Sequence, residues 1–138
     1  MALTRDELVE RAESLGRTLN PPAVVALTGD LGSGKTTFVQ ALCRGYGVQD
    51  AVTSPTFALV HEYHAPRSAV FHLDLYRLAG PADLVNIGWD DILSSEALVI
   101  VEWAERAGTR LPEDAMRIHF EHDPADGDRR LLRAGGLG

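Results

Sequence analysis

The stretch Gly29-Asp30-Leu31-Gly32-Ser33-Gly34-Lys35-Thr36 fits the pattern G-x-x-x-x-G-K-[ST] and closely follows the apolar run Ala23-Val24-Val25-Ala26-Leu27. An apolar run, a glycine-rich turn and a lysine in that order call for a buried strand, a phosphate-cradling loop and a helix. The glycines let backbone N–H groups curl inward around an anion, Lys35 reaches the β- and γ-phosphates, and the Thr36 hydroxyl holds Mg²⁺. The helix that follows points its positive end at the same anion. The reading is a chain that binds a nucleoside triphosphate through Asp30, Leu31, Gly32, Ser33, Gly34, Lys35, Thr36 and Thr37. A chain built on this unit belongs to the α/β class, as a single-domain P-loop NTPase fold with a mixed, mainly parallel β-sheet flanked by helices.

The remaining elements follow from periodicity and turn chemistry. Thr4-Arg5-Asp6-Glu7 has capping-box spacing, and Leu8, Ala12, Leu15 and Leu19 recur at helical intervals, which predicts a helix over 5–19 stopped by Asn20-Pro21-Pro22. Residues 23–28 form the first buried strand and 34–46 the P-loop helix, ended by Gly45 and Gly47. Strand formers fill Phe57 to Tyr63, and Ala65-Pro66-Arg67-Ser68 turns into Ala69 to Asp74. A connection this short holds no crossover helix, so these two strands form an antiparallel hairpin. Gly80-Pro81 opens a short helix to about Ile87, and Asp90 to Ser94 makes a further helical turn before the apolar strand Ala97 to Val101. After a loop containing Pro112, Met116, Ile118 and Phe120 alternate with Arg117, His119 and Glu121, and Asp123 to Gly127 turns into a closing hairpin strand over 129–134. Residues 1–4 and 135–138 are expected to fray, with the whole of 1–138 forming one domain.

Composition narrows the function. The 138 residues suffice for one core and leave little room for a lid or a second substrate domain. Lys and Arg total 13 against 20 Asp and Glu, for a net charge of −7, and no long basic run occurs. A chain whose main task is gripping nucleic acid is more basic, so DNA binding is not expected and any link to RNA passes through a partner. The single Cys43 excludes an internal disulfide and a Cys-rich metal site, and it is expected on the inner side of the P-loop helix. No signal-peptide h-region and no apolar run of about 18 residues is present. The expectation is a cytoplasmic protein without a membrane partner.

A P-loop needs acidic help to hold Mg²⁺ and to orient an attacking group. Asp74 ends Val70-Phe71-His72-Leu73 and Glu102 ends Leu98-Val99-Ile100-Val101, each an acid closing an apolar strand. If both strands run parallel to 23–28, both acids meet the nucleotide at the carboxyl edge of the sheet. Lys35, Asp74 and Glu102 are then the catalytic candidates, and Thr36, Glu102 and Asp74 the metal candidates; spacing does not decide which acid positions the attacking water. Thr53-Ser54-Pro55-Thr56-Phe57 places three hydroxyls around a proline, either as a switch sensing the γ-phosphate or as an ordinary Ser-Pro turn. The histidines at 61, 64, 72, 119 and 122 lack a fitting third ligand for zinc. Trp103 is open between core, adenine platform and partner contact, and Trp89 reads as a half-buried anchor.

The motifs Gly29 to Phe38, Ser54-Pro55-Thr56-Phe57, His72-Leu73-Asp74-Leu75-Tyr76-Arg77 and Glu102-Trp103 occur in one order, and together they resemble the bacterial TsaE (YjeE) family over about residues 5–134. The resemblance implies a slow ATPase of tRNA threonylcarbamoyladenosine biosynthesis, using ATP and Mg²⁺ and working with the transferase TsaD and its partner TsaB. It ties Thr36, Asp74 and Glu102 to Mg²⁺ and hydrolysis, treats Thr53, Ser54, Pro55 and Thr56 as a switch, and assigns hydrolysis to resetting the transferase complex, with tRNA met only through the partners. Where the family usually has a glutamate-leucine pair before a glycine, this chain reads Asp83-Leu84-Val85-Asn86-Ile87-Gly88. A small-molecule kinase and a nucleotide-gated binding module are the rival readings. A GTPase is disfavoured because neither N-K-x-D nor a D-x-x-G switch is present.

Overall fold

The computed structural model describes residues 2–29, 34–49, 60–78, 81–122 and 130–135. Asp30 to Ser33 of the phosphate loop, Thr53 to Phe57 and the turn Asp123 to Gly127 lie outside the described residues. The capping box predicted at Thr4 is present: Thr4 Oγ1 accepts the Glu7 N–H at 3.2 Å and Glu7 Oε1 accepts the Thr4 N–H at 3.0 Å. It opens α1 (Arg5–Thr18). The chain continues through β2 (Ala23–Gly29), α2 (Lys35–Tyr46), β3 (Val60–His64) and β4 (Ala69–Asp74). A 3₁₀ segment (Pro81–Ile87), α3 (Trp89–Leu93), β5 (Leu98–Glu102), a second 3₁₀ segment (Ala104–Arg110), β6 (Met116–His122) and β7 (Arg130–Gly135) follow.

One seven-stranded sheet runs in the order β1-β7-β6-β2-β5-β4-β3, where β1 is Ala2–Leu3. Its four central strands, β6, β2, β5 and β4, are parallel, and antiparallel pairs flank them at both sides. The hairpins β3–β4 and β6–β7 are those predicted from their short connections. Side-chain alternation divides the core between the two faces. Val25, Leu27, Val70, Leu98 and Ile100 pack under α1 and α2. Ala26, Leu73, Val99 and Val101 pack under the 3₁₀ segments and α3.

Four expectations need correction. The start of the chain is not frayed: Ala2 and Leu3 pair with Leu131 and Arg130, and Leu3 is buried, because β7 would otherwise present an open edge. Gly45 does not end the P-loop helix. A Cβ at Gly45 would lie 2.0 Å from the Glu13 carbonyl oxygen, and one at Gly16 would lie 2.1 Å from that of Leu42, so these glycines set the close crossing of α1 on α2. Gly47 alone terminates α2, in the left-handed region at φ 102°. The stretch before Pro112 is a 3₁₀ segment, and beneath it Trp89 is fully buried, its Nε1–H donating to the Arg110 carbonyl at 3.3 Å. Cys43 sits on the inner side of α2 as expected, and burial pushes its thiol up to about 12, so it stays protonated at neutral pH. No helix among the described residues is long and apolar enough to cross a membrane.

Candidate nucleotide site

The parallel register brings the two predicted acids together. Asp74 and Glu102 are paired neighbours on β4 and β5, and Glu102 is also the partner of Leu27 near the end of β2. Gly29 closes β2 at φ 126°, where an added Cβ would meet the Phe120 carbonyl oxygen at 2.1 Å, so the chain can leave the sheet here only as glycine. It re-enters regular structure at Gly34, φ 100°, which supplies no side-chain cap to α2. The first-turn amides of α2, with Lys35, Thr36 and Thr37, therefore stand at the positive end of a twelve-residue helix.

Among the described residues, the buried polar or charged side chains are Lys35 at 5% exposure, His72 at 0% and Glu102 at 4%. All three gather at this edge. Lys35 Nζ donates to the Gly29 carbonyl at 2.8 Å and lies 3.9 Å from the centre of the Trp103 ring. His72 Nε2 is 2.6 Å from Glu102 Oε2, a charge-assisted hydrogen bond by its length. A carboxylate only accepts, so Nε2 carries the proton, and the buried Nδ1 has no hydrogen-bond partner among the described residues. Leaving such an atom unsatisfied costs about 1–3 kcal/mol.

Asp74 is half-buried, and its Oδ1 accepts the Tyr76 N–H at 3.0 Å. Burial raises its proton affinity above the ordinary aspartate value; the Tyr76 hydrogen bond opposes this and the Glu102 charge adds to it. Two neighbouring carboxylates and the Thr36 hydroxyl are hard oxygen donors, the set that Mg²⁺ takes. A divalent cation would also offset the repulsion that Asp74 feels from Glu102. The donor set of Thr36, Asp74 and Glu102 thus fits Mg²⁺.

Trp103 follows Glu102 in the left-handed region at φ 57°, a conformation that costs a bulky residue roughly 1–3 kcal/mol. The strain aims the indole at Lys35 on one side, while Tyr76, half-exposed, packs on it at 4.9 Å with Arg106 near the Tyr76 ring. None of the three readings open for Trp103, core, adenine platform or partner contact, named this contact; in this structure its ring lies against the P-loop lysine. A second histidine stands at the same edge: His119 Nδ1 is 2.8 Å from Thr28 Oγ1 and its Nε2 is 3.1 Å from Glu121 Oε1, with both ionisable side chains well exposed.

The sequence placed Gly34 to Thr37, Asp74 and Glu102 in the candidate site, and the fold brings them to one edge. Asp30, Leu31, Gly32 and Ser33, and the switch candidates Thr53, Ser54, Pro55 and Thr56, lie outside the described residues. The sequence gives His72 no role beyond its place in a family motif and leaves Trp103 between core, adenine platform and partner contact. Alternation along Val70 to Asp74 puts His72 on the face of Asp74, and that signal could have found it.

Residues 3–131 match the family model described as threonylcarbamoyl adenosine biosynthesis protein TsaE. The chain is 40% identical over 120 residues to the tRNA threonylcarbamoyladenosine biosynthesis protein TsaE of Treponema pallidum, covering 87% of each chain. It is 38% identical over 99 residues to that of Haemophilus influenzae, covering 72% of this chain and 63% of the relative. In structure it is similar to the crystal structure of YdiB from Bacillus subtilis, with a TM-score of 0.81 and 25% identity, over 99% of this chain and 84% of that one.

Proposed function

The chain belongs to the TsaE family, and from that premise we propose that it binds ATP with Mg²⁺ at the carboxyl edge of β2, β5 and β4 and hydrolyses it slowly in tRNA threonylcarbamoyladenosine formation. The observation that carries the reading is the convergence of Lys35, His72 and Glu102, buried, on the edge where α2 begins. Burying a charged group is unfavourable unless it is paired or used, and here the pairing leaves a binding edge beside the phosphate loop.

In this reading the α2 amides and Lys35 hold the phosphates, which requires Lys35 to leave the Gly29 carbonyl and the Trp103 face. Thr36 and the acids hold Mg²⁺, which supplies charge neutralisation at the transferring phosphate. Glu102 or Asp74 orients the attacking water. The partners are TsaD and TsaB, whose complex the hydrolysis resets between turnovers, and the net charge of −7 agrees with leaving the tRNA to them.

The test is ATP hydrolysis with and without the TsaD–TsaB pair. Stimulation is expected, and its absence would count against the resetting role. Lys35→Ala should abolish turnover while the fold persists, and wild-type turnover in that variant would remove the site assignment. A phosphorylated metabolite as product would move the protein to the kinases, and ATP left intact with both partners would make it a nucleotide-gated binding module.

A further inference from the structure

We propose that His72 is a positioning residue for Glu102, fixing the carboxylate through one oxygen so that the other faces its work at the divalent cation or the attacking water. The inference rests on the nucleotide-site reading above and adds a residue to which that reading gave no role. Its basis is an asymmetry in a buried pair. His72 Nε2 holds Glu102 Oε2 at 2.6 Å, while Nδ1 of the same fully buried ring has no hydrogen-bond partner among the described residues. A histidine present only to stabilise the sheet would satisfy both nitrogens or give way to an apolar side chain. The nitrogen aimed at the acid is the one that orientation of that acid requires.

Asp74 is held in a parallel manner, with Oδ1 engaged by the Tyr76 N–H. Each carboxylate is thus held through one oxygen, Asp74 by the backbone amide of Tyr76 and Glu102 by the imidazole of His72 on the adjacent strand. Carboxylates that serve metals are oriented by such outer partners, whose loss typically lowers metal affinity or activity by about 10- to 100-fold. The imidazole reaches Glu102 from β4, two residues before Asp74, so the hydrogen bond also locks the two acid-bearing strands together at the edge where they act.

The test compares wild type with His72→Leu, which removes the donor, and His72→Gln, whose amide reaches about as far as Nε2 and can still donate. Mn²⁺ is titrated into each protein with ADP bound, ATP turnover is measured alongside, and thermal midpoints are recorded. Expected are about tenfold weaker Mn²⁺ binding and lower kcat in His72→Leu with KM little changed, and recovery of most of both in His72→Gln. In proton NMR of the wild type, the His72 Nε2–H should resonate far downfield and move in Glu102→Gln, a signal that needs no turnover and no folded His72→Leu. The proposal is overturned if His72→Leu binds Mn²⁺ with ADP as the wild type does, if its losses follow its thermal midpoint without recovery in His72→Gln, or if the downfield proton is missing. Absent ATP turnover in the wild type would defeat the hydrolytic reading instead, leaving the Mn²⁺ titration and the NMR signal to decide the positioning role.

Discussion

Two histidine–carboxylate contacts stand near the carboxyl edge of the same sheet and differ in almost everything but chemistry. His72 and Glu102 lie on neighbouring parallel strands, sealed from water, with a 2.6 Å contact and one imidazole nitrogen without a hydrogen-bond partner among the described residues. His119 and Glu121 lie two residues apart on β6, 43% and 39% exposed, at 3.1 Å, and Thr28 engages the other nitrogen. The exposed pair is fully satisfied and solvated, so it contributes about 0–1 kcal/mol. The buried pair is incompletely satisfied among the described residues, and removing one member of such a pair typically costs about 3–5 kcal/mol. An arrangement that sacrifices stability beside a phosphate loop points to function; one that sacrifices nothing at the surface does not.

The sharpest way to break this comparison is to make one substitution on both sides. Glu102→Gln keeps an acceptor for His72 and should lower ATP turnover by roughly a hundredfold or more, whereas Glu121→Gln should leave turnover unchanged, both measured at saturating ATP and Mg²⁺. Equal losses would erase the distinction between the two regions. Asp74→Asn probes the buried side through stability. Because the folded protein raises the proton affinity of Asp74, the stability linked to that proton is present below the ordinary carboxylate pKa of about 4 and is lost as pH rises through the raised value. Asparagine cannot ionise and still accepts the Tyr76 N–H, so the variant should melt above wild type at neutral pH and lose that advantage on acidification, read from melting curves across pH. The smallest effect is expected at His119→Ala, within about 0.5 kcal/mol in stability and without change in turnover. A larger loss on denaturant unfolding would show that the Thr28–His119–Glu121 chain supports the end of β2.

Much of the fold was legible because its signals are local. The capping box at Thr4 and Glu7, the strand and helix on either side of the phosphate loop and the antiparallel pairs β3–β4 and β6–β7 depend on residues close in sequence, and the structure contains each of them. Gly45 and Trp89 were misread for the opposite reason. A glycine near a helix end looks like a stop until a second helix is seen to need its missing Cβ, and the burial of an indole depends on the 3₁₀ segment that covers it. The acids at 74 and 102 were found because each closes an apolar run. His72 shares the face of Asp74 by strand alternation, but its contact with Glu102 depends on how β4 pairs with β5.

The sequence by itself determined the phosphate loop and its helix, the acids at two strand ends and the family likeness, since these reside in residue types at fixed short spacings. Only the tertiary structure decided that β4 and β5 run parallel to β2 in a register that sets Asp74 against Glu102, that His72 clasps Glu102, and that a strained Trp103 backs Lys35. Strand direction and register come from pairing between segments distant along the chain. The chemistry of this edge therefore exists only once those strands have met, although each of its residues is written plainly in the sequence.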